Sequence, residues 1–356
     1  MVAVAAAATP IRVSVVGVGV VGEWLLRAID RHRERLRDEY SLELSIVAVA
    51  NRDHGFVYRE GGIEIADVLA LKAAGASIGE LERTERWPTA LAGLAATETD
   101  ILVEVTQSPS FDGEPGLSHL RHALRHGVSV ATSNKWPVAL AGVELSDLAG
   151  QHDAGFRAES TVMSGTPLLA ALSAGLEGAA PLRLRGVLNA TVNYVCTRMA
   201  ERASYADALA EAQQAGLAER DPTADVDGLD SVAKLMVLSA LVFGVQLEIE
   251  DVGRRGVSAL TEAGIEAAFA GGRRLREVAT IDPGRRRLAV EASAVARGDP
   301  LFEVEGTKNA VSLEVDPLGE VAISGPGAGP ELAGQGVFSD LIALARDRAE
   351  RARWSA

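Results

Sequence analysis

Apolar runs and helical periods take turns along the first 150 residues. IRVSVV (11–16) is an apolar run of strand length, followed by GVGVVG (17–22) and a helical period from Glu23 to about Tyr40. LSIVAVAN (44–51) and DILVEVT (100–106) predict two more strands, each ending in polar residues. LSHLRHALRHG (117–127) has a helical period that stops at Gly127, and VSVAT (128–132) is a further strand running into SNKWP. Strands separated by helices predict an α/β fold, a Rossmann-type doubly wound parallel sheet.

The texture changes near residue 150. GFRAEST (155–161) and LRLRGVLN (182–189) predict strands of a different sheet, and helices are expected at about 191–202, 205–215 and 228–243. RRLAVEASAV, LFEVEG, AVSLEVD and EVAISG are short β-like runs within 274–324. They predict an antiparallel or mixed sheet with helices on one face, an α+β domain. GPGAGP (325–330) turns into a last helix at about 331–349. The expected organisation is a dinucleotide-binding domain at 1–152, joined by the C-terminal helix 328–356. A substrate-binding and dimerisation domain follows at 153–327.

Composition narrows the function. A chain of 356 residues, 47% hydrophobic, is globular and can bury a large core. No apolar run approaches the 18 residues a membrane span needs. MVAVAAAATP lacks a basic n-region and reads as a frayed leader, not a signal peptide. A net charge of −14 disfavours nucleic acid and anionic membranes as partners. Cys196 is the only cysteine, which excludes an intramolecular disulfide or a thiolate metal cluster and suits a reducing, cytoplasmic setting. The chain has 31 arginines but four lysines: Lys72, Lys135, Lys234 and Lys308. A lysine kept in so arginine-rich a chain points to places where a compact, titratable ammonium is needed.

Gly17, Val18, Gly19, Val20, Val21 and Gly22 fit G-x-G-x-x-G between a strand and a helix. The first glycine permits the turn, the second lets backbone approach a pyrophosphate, and the third lets helix pack on strand. The second strand ends in Asn51-Arg52-Asp53. A guanidinium at that tip suits the 2′-phosphate of NADP, with Lys72 as a second cation, whereas Asp53 keeps NAD open.

AERDPTADVDGLDSVAKL (218–235) is dense in carboxylates. Asp227 before Gly228 is a candidate N-cap for the helix after it. Asp230 and Lys234, four apart, share one face. As an exposed pair they would contribute only about 0.3–0.5 kcal/mol. The helix is apolar nearly all round, however, so the pair is expected to be partly buried. Asp221 and Asp225 read as turn caps first and as ligands of a divalent metal second. His119, His122 and His126 read as an exposed helix face, and Cys196 as core packing.

With SNK (133–135), NATVNY (189–194) and the acidic stretch, which follows E-x-D-P-x-x-D-x-x-G-x-D-x-x-x-K, the sequence resembles the homoserine dehydrogenase family along nearly its whole length. It looks like the family's short form without a regulatory domain. The resemblance implies NAD(P)-dependent interconversion of L-homoserine and L-aspartate 4-semialdehyde by a homodimer. It implies Lys234 as proton donor, with Lys135 and Asp230 beside it. Glu219, Asp230, Thr191 and Asn193 would hold the substrate. Thr106, Ser133, Asn134, Lys135, Gly216, Gly325 and Gly327 would line the cofactor together with the glycine loop, Asn51, Arg52 and Lys72. ESTVMSGTP (159–167) resembles the family's sodium loop, with backbone oxygens of Glu159, Val162, Ser164 and Thr166 as ligands.

The chemistry is consistent with these residues. Hydride arriving at a carbonyl carbon leaves charge on oxygen, which an ammonium can stabilise and protonate. Arginine could stabilise that charge but could hardly donate, since its pKa exceeds about 12. Ala190, Val192, Met163-Ser164 and Ala333-Gly334 depart from the family pattern and are expected at the pocket edge. They leave a second reading, a related oxidoreductase of specialised metabolism acting on another amino or hydroxy aldehyde. A third is a catalytically dead nucleotide-sensing or scaffold protein.

Overall fold

Strands buried on both faces need no polar alternation, and the short apolar runs of the N-terminal half become such strands. The computed structural model describes residues 10–108, 111–201, 203–259 and 262–355. The leader expected at the N-terminus lies outside the described residues. The chain divides into two units. The first holds the described residues up to Pro137, Glu144–Ser160 and those from Ala333 on. The second holds Val138–Val143 and Thr161–Leu332.

The chain begins β1 (Pro10–Val16), α1 (Val20–Arg31), α2 (Arg33–Tyr40), β2 (Glu43–Asn51), β3 (Gly55–Tyr58), α3 (Ile65–Ala73), β4 (Glu85–Trp87) and α4 (Ala90–Ala96). It continues β5 (Ile101–Glu104), α5 (Gly116–Arg125), β6 (Ser129–Thr132), α6 (Lys135–Gln151) and β7 (Phe156–Arg157). The seven strands form one sheet in the order β4-β3-β2-β1-β5-β6-β7. The five from β2 to β7 are parallel. At the centre, Val15 pairs with both Val49 and Val103, all three fully buried.

Three expectations need correction in this unit. The helix from Glu23 to Tyr40 is two helices, broken at His32, whose ring stacks on Phe338 with centroids 5.8 Å apart. The strand at 156–157 extends the first sheet and belongs to no other. An antiparallel edge, β3 and β4, was not anticipated, because strands of three or four residues fall below the length at which a period is readable.

The chain then forms α7 (Ser160–Met163), α8 (Leu169–Gly175), β8 (Ala180–Val187), α9 (Ala190–Ala200), α10 (Tyr205–Gln214), α11 (Thr223–Val226) and α12 (Leu229–Phe243). After these come β9 (Gly253–Arg255), α13 (Glu262–Ala270), β10 (Arg274–Asp282), β11 (Arg287–Val295), β12 (Lys308–Asp316) and β13 (Gly319–Pro326). The second sheet runs β13-β12-β8-β10-β11-β9. It is mixed: only the β11–β9 pair is parallel. Helix α9 buries Val192, Val195, Cys196 and Met199 against Ala208 and Ala212 of α10 and Leu275 of β10. LFEVEG is not a strand. It is a turn whose Leu301, Phe302 and Val304 bury themselves against Val187, Val278 and Val295.

The last helix, α14 (Pro330–Ser355), outruns the expected end at 349. From Ala333 on it belongs to the first unit, where Val337, Phe338, Leu341, Leu344 and Ala345 enter the core around β1 and α1. Each fully buried leucine there contributes roughly 2 kcal/mol. Among the described residues no helix is long and apolar enough to cross a membrane.

Candidate active site

In the first unit the glycine loop is fixed by its own packing at two of its three glycines. Gly17 has φ +111°, and a Cβ there would stand 2.7 Å from the Val105 carbonyl carbon. A Cβ on Gly22 would stand 2.1 Å from the Gly17 oxygen. At Gly19 a Cβ would meet nothing within 4 Å, so this glycine alone faces open space. Gly19 is the N-cap of α1 and supplies no side-chain cap. The first-turn N–H groups of α1, at Val20, Val21 and Gly22, lack intrahelical partners and suit an anion. Loop and helix together make a cradle that fits a pyrophosphate.

Lys72 reaches this loop by a different route from the one expected. Its Nζ donates to the Val18 and Gly19 carbonyls at 2.6 and 3.1 Å and lies 3.4 Å from a Glu23 oxygen. It braces the carbonyl side of the loop. The Asn51-Arg52-Asp53 tip is the β2–β3 hairpin turn: Asn51 Oδ1 accepts from the His54 N–H at 2.8 Å, leaving Arg52 and Asp53 exposed.

Behind the strand ends lies a polar group that the sequence did not flag. Glu104, the last residue of β5, is fully buried. It accepts from both the N–H (3.2 Å) and the hydroxyl of Thr106, and from Thr132 Oγ1 at 3.4 Å. Thr132 Oγ1 in turn accepts from the Asn134 N–H at 3.0 Å, and Asn134 Nδ2 donates to Thr106 Oγ1 at 3.4 Å. Ser133 donates its N–H to the Glu104 carbonyl at 3.3 Å, and Lys135 opens α6. The expected cofactor residues Thr106, Ser133 and Asn134 are thus organised around one carboxylate. His119 also belongs here, with Nδ1 3.8 Å from Glu104. It is 4% exposed, so the expectation of an exposed histidine face fails at His119. Among the described residues no group of His, Cys, Asp and Glu is arranged for a metal ion.

In the second unit a turn of the acidic stretch brings its charges onto one asparagine. Asn189 Oδ1 accepts from the Val192 N–H at 2.8 Å, capping α9. Its Nδ2 donates to Asp225 at 2.8 Å and to Asp230 at 3.0 Å. Lys234 Nζ lies 3.0 Å from Asp230 Oδ2 and donates to the Leu188 carbonyl at 2.7 Å. Asn309 Nδ2 donates to the same carbonyl at 2.7 Å. The Lys234 and Asp230 side chains are only 13% and 14% exposed, so the pair is not a solvated surface bridge. Asn189 and Asn309 were missed because an amide carries no charge signal in a sequence.

Other expected residues sit differently. Asp227 does not cap α12: the cap position is Gly228, and Asp227 accepts from Ser258 instead. Asp221 accepts from the Thr223 N–H and hydroxyl, closing a turn, and these bonds hold its carboxyl below the usual range. Thr191 Oγ1 donates to the Leu217 carbonyl at 2.7 Å. Asn193 is buried, and its Nδ2 donates to the carbonyls of Val304, Gly306 and Lys308, which commits that donor to a turn. Glu219 is exposed. Gly216 takes φ +70° just past α10 and ends that helix. Gly325 and Gly327 are required by protein contacts, since a Cβ on either would stand 2.3 Å from Thr166 or Asn309. In the expected cation loop, Ser164 and Thr166 hydroxyls donate to the Gly327 and Pro326 carbonyls, and Glu159 falls in the first unit. Val192, expected at the pocket edge, is core, and Gly334 packs against Trp24.

The homoserine dehydrogenase family profile matches residues 167–342, and that of the homoserine dehydrogenase NAD binding domain matches residues 17–159. The NAD(+)-dependent homoserine dehydrogenase of Pseudomonas canavaninivorans is 33% identical over 94% of this chain and 96% of its own. The chain belongs to the homoserine dehydrogenase family. It is an NAD(P)-dependent oxidoreductase of that family. The homoserine dehydrogenase of Methanocaldococcus jannaschii is 32% identical over 92% of this chain and 96% of its own. A hyperthermophilic archaeal homoserine dehydrogenase in complex with NADPH superposes with a TM-score of 0.81 at 30% identity, covering 95% of this chain and 98% of that one. The homoserine dehydrogenase of Thiobacillus denitrificans gives 0.79 at 28% identity, covering 96% of this chain and 74% of its own.

Proposed function

We propose that the protein interconverts L-homoserine and L-aspartate 4-semialdehyde with Lys234 as the proton donor. The observation that carries this reading is the Lys234 ammonium, nearly buried and held by Asp230 and the Leu188 carbonyl. When bound, the nicotinamide supplies or takes up the hydride. Lys234 stabilises the developing alkoxide and gives it a proton, which arginine in its place could not do readily. Asp230 keeps the ammonium oriented and, with Glu219, accepts from the substrate's α-ammonium. Thr191, in the first turn of α9 beside Asn189, is assigned to the substrate, and Asn193 braces that helix through the 304–308 turn. Lys135 opens α6 beside the Thr106–Asn134 network.

Gly17, Gly19 and Gly22, with the α1 N-terminus, hold the cofactor's pyrophosphate, and Lys72 stiffens that loop. The archaeal relative's NADPH and the exposed Arg52 favour NADP. The Pseudomonas relative's NAD(+) and the adjacent Asp53 favour NAD, and of the two cofactors we favour NADP. Sodium on the carbonyl oxygens of Glu159, Val162, Ser164 and Thr166 is part of the same proposal, tested by turnover in sodium against tetramethylammonium buffer. So is a homodimer through the second unit, tested by light scattering.

The deciding experiment follows reduced nicotinamide by its absorbance with homoserine and each cofactor, for the parent and for Lys234→Arg. Turnover by the parent is expected, and at least a hundredfold lower kcat in the variant. A variant with a parent-like rate rejects Lys234 as the acid.

A further inference from the structure

Glu277 lies on β10 beneath the turn that carries Asp230 and Lys234. It is 3% exposed, and Ser231 Oγ donates to its Oε1 at 2.5 Å. Oε2 is buried and meets no hydrogen-bond partner among the described residues. That oxygen stands 3.2 Å from where a Cβ on Gly228 would be, so the glycine before α12 lets the helix start directly over the carboxyl.

The groups acting on Glu277 are Asp225 from α11, Asp230 and Lys234 from α12, and the buried Cys196 thiol from α9. The Cγ of Arg254 on β9 stands 3.6 Å from the same Gly228 Cβ position. Arg276 donates to the Leu275 and Phe302 carbonyls. Three carboxyls and one ammonium therefore act on one another, with Glu277 buried and the Asp230 and Lys234 side chains nearly so. Asp225 and Asp230 each accept from Asn189, and Asp230 also pairs with Lys234. Glu277 receives one hydroxyl. Of the three it is the least supported as an anion, so it is the one that keeps a proton.

We propose that Glu277 is a positioning residue for Lys234, resting on the reading of Lys234 as the acid. As a neutral carboxylic acid it fixes Ser231 and the first turn of α12, and its ionisation adds a buried negative charge that makes Lys234 hold its proton more tightly. Burial, opposed by the Ser231 hydrogen bond and reinforced by Asp230 and Asp225, pushes the Glu277 carboxyl up to about 7. Ionisation thus falls within the working range of pH. It makes the ammonium a weaker acid, so aldehyde reduction slows as pH rises through this range.

The test is the pH dependence of kcat for aldehyde reduction in the parent, Glu277→Gln and Ser231→Ala, read beside the infrared carbonyl stretch of protonated carboxylic acid. In the parent, kcat should fall about threefold to tenfold across a step centred near pH 7, with loss of one carboxylic acid band through the same step. Glu277→Gln should lack both the step and the band, with a melting temperature showing it folded. Ser231→Ala should move both upward in pH, because the lost hydroxyl is what favours the anion. A merely structural glutamate would lower kcat without moving the step. Superimposable profiles for the parent and Glu277→Gln overturn the proposal, as does a parent with no titrating acid band. If Glu277→Gln does not fold, the infrared titration of the parent against Ser231→Ala decides. A Lys234→Arg variant with parent-like turnover overturns this proposal and the proposed function together. A dead Lys234→Arg with superimposable profiles overturns this one alone.

Discussion

Lys234 Nζ stands 3.0 Å from Asp230 Oδ2, one turn back on the same helix, and the two side chains share a nearly dry site. A charge pair this far out of water is held only by further hydrogen bonds, which the Leu188 carbonyl supplies on one side and Asn189 on the other. Asp230→Asn keeps the shape but removes the counter-charge. The ammonium then loses the carboxylate that orients it, and the substrate ammonium loses an acceptor. The expected outcome is a hundredfold or greater loss of kcat with a raised KM for homoserine. Steady-state kinetics check it, and a variant within threefold of the parent contradicts the assigned role.

Asn189 does two jobs whose effects can be separated. Its oxygen caps α9, a contribution of about 1 kcal/mol, and its amide nitrogen tethers Asp225 and Asp230. Asn189→Ala should lower the melting temperature and the activity together. Asn189→Ser should restore the cap and most of the stability but not the activity, since one hydroxyl cannot cap the helix and bridge two carboxylates. Thermal denaturation beside kinetics checks this; full activity in the serine variant contradicts the tether.

What the sequence made legible follows the same division between charge and shape. Four of the five parallel strands stand out because each is an apolar run bounded by polar tips, whereas Phe156–Arg157 is too short to show which sheet it joins; Lys234 and Asp230 stand out because charges are rare on an apolar helix. The β3–β4 edge was too short to show a period. LFEVEG alternates like a strand, yet its apolar side chains cover one face of the second sheet from a turn. Alternation reports burial on one side, not backbone pairing. Asn189, Asn309, Glu104 and Glu277 were not legible as functional residues, because their importance comes from partners far away in sequence. The packing of Gly325 and Gly327 was not legible either: Thr166 and Asn309, far away in sequence, occupy the space that a side chain there would need.

Asp100 ties the last helix to the first sheet, and its titration gives that tie a pH dependence. It accepts from the Arg12 N–H and Nε at 2.8 and 3.1 Å and from Arg348 Nη2 at 2.7 Å. Burial alone would raise its pKa, but the Arg12 hydrogen bonds and both nearby arginines hold it below the usual range. A depressed folded pKa adds stability above the unfolded value, near 3.9, and that stability is lost as pH falls through the folded value. Asp100→Asn should therefore cost about 1–3 kcal/mol at neutral pH. The gap to the parent should stay constant down to about pH 5 and close below about pH 4. Urea denaturation at several pH values checks it; a gap that persists in acid contradicts it.

Gly17 and Gly19 separate the folding role of the glycine loop from its binding role. At Gly17 the backbone is left-handed and the Val105 main chain leaves no room for a methyl group. Because backbone cannot swing aside as a side chain can, Gly17→Ala should lose more than about 2 kcal/mol of stability whether or not cofactor is present. At Gly19 the backbone is extended and the space beyond it is open, so Gly19→Ala should melt within about 0.5 kcal/mol of the parent. The new methyl group would stand where the pyrophosphate approaches, and NADPH binding, followed by fluorescence titration, should weaken at least tenfold. Parent-like NADPH affinity in Gly19→Ala would mean that the cofactor does not lie against this loop. The open space at Gly19 would then be ordinary surface.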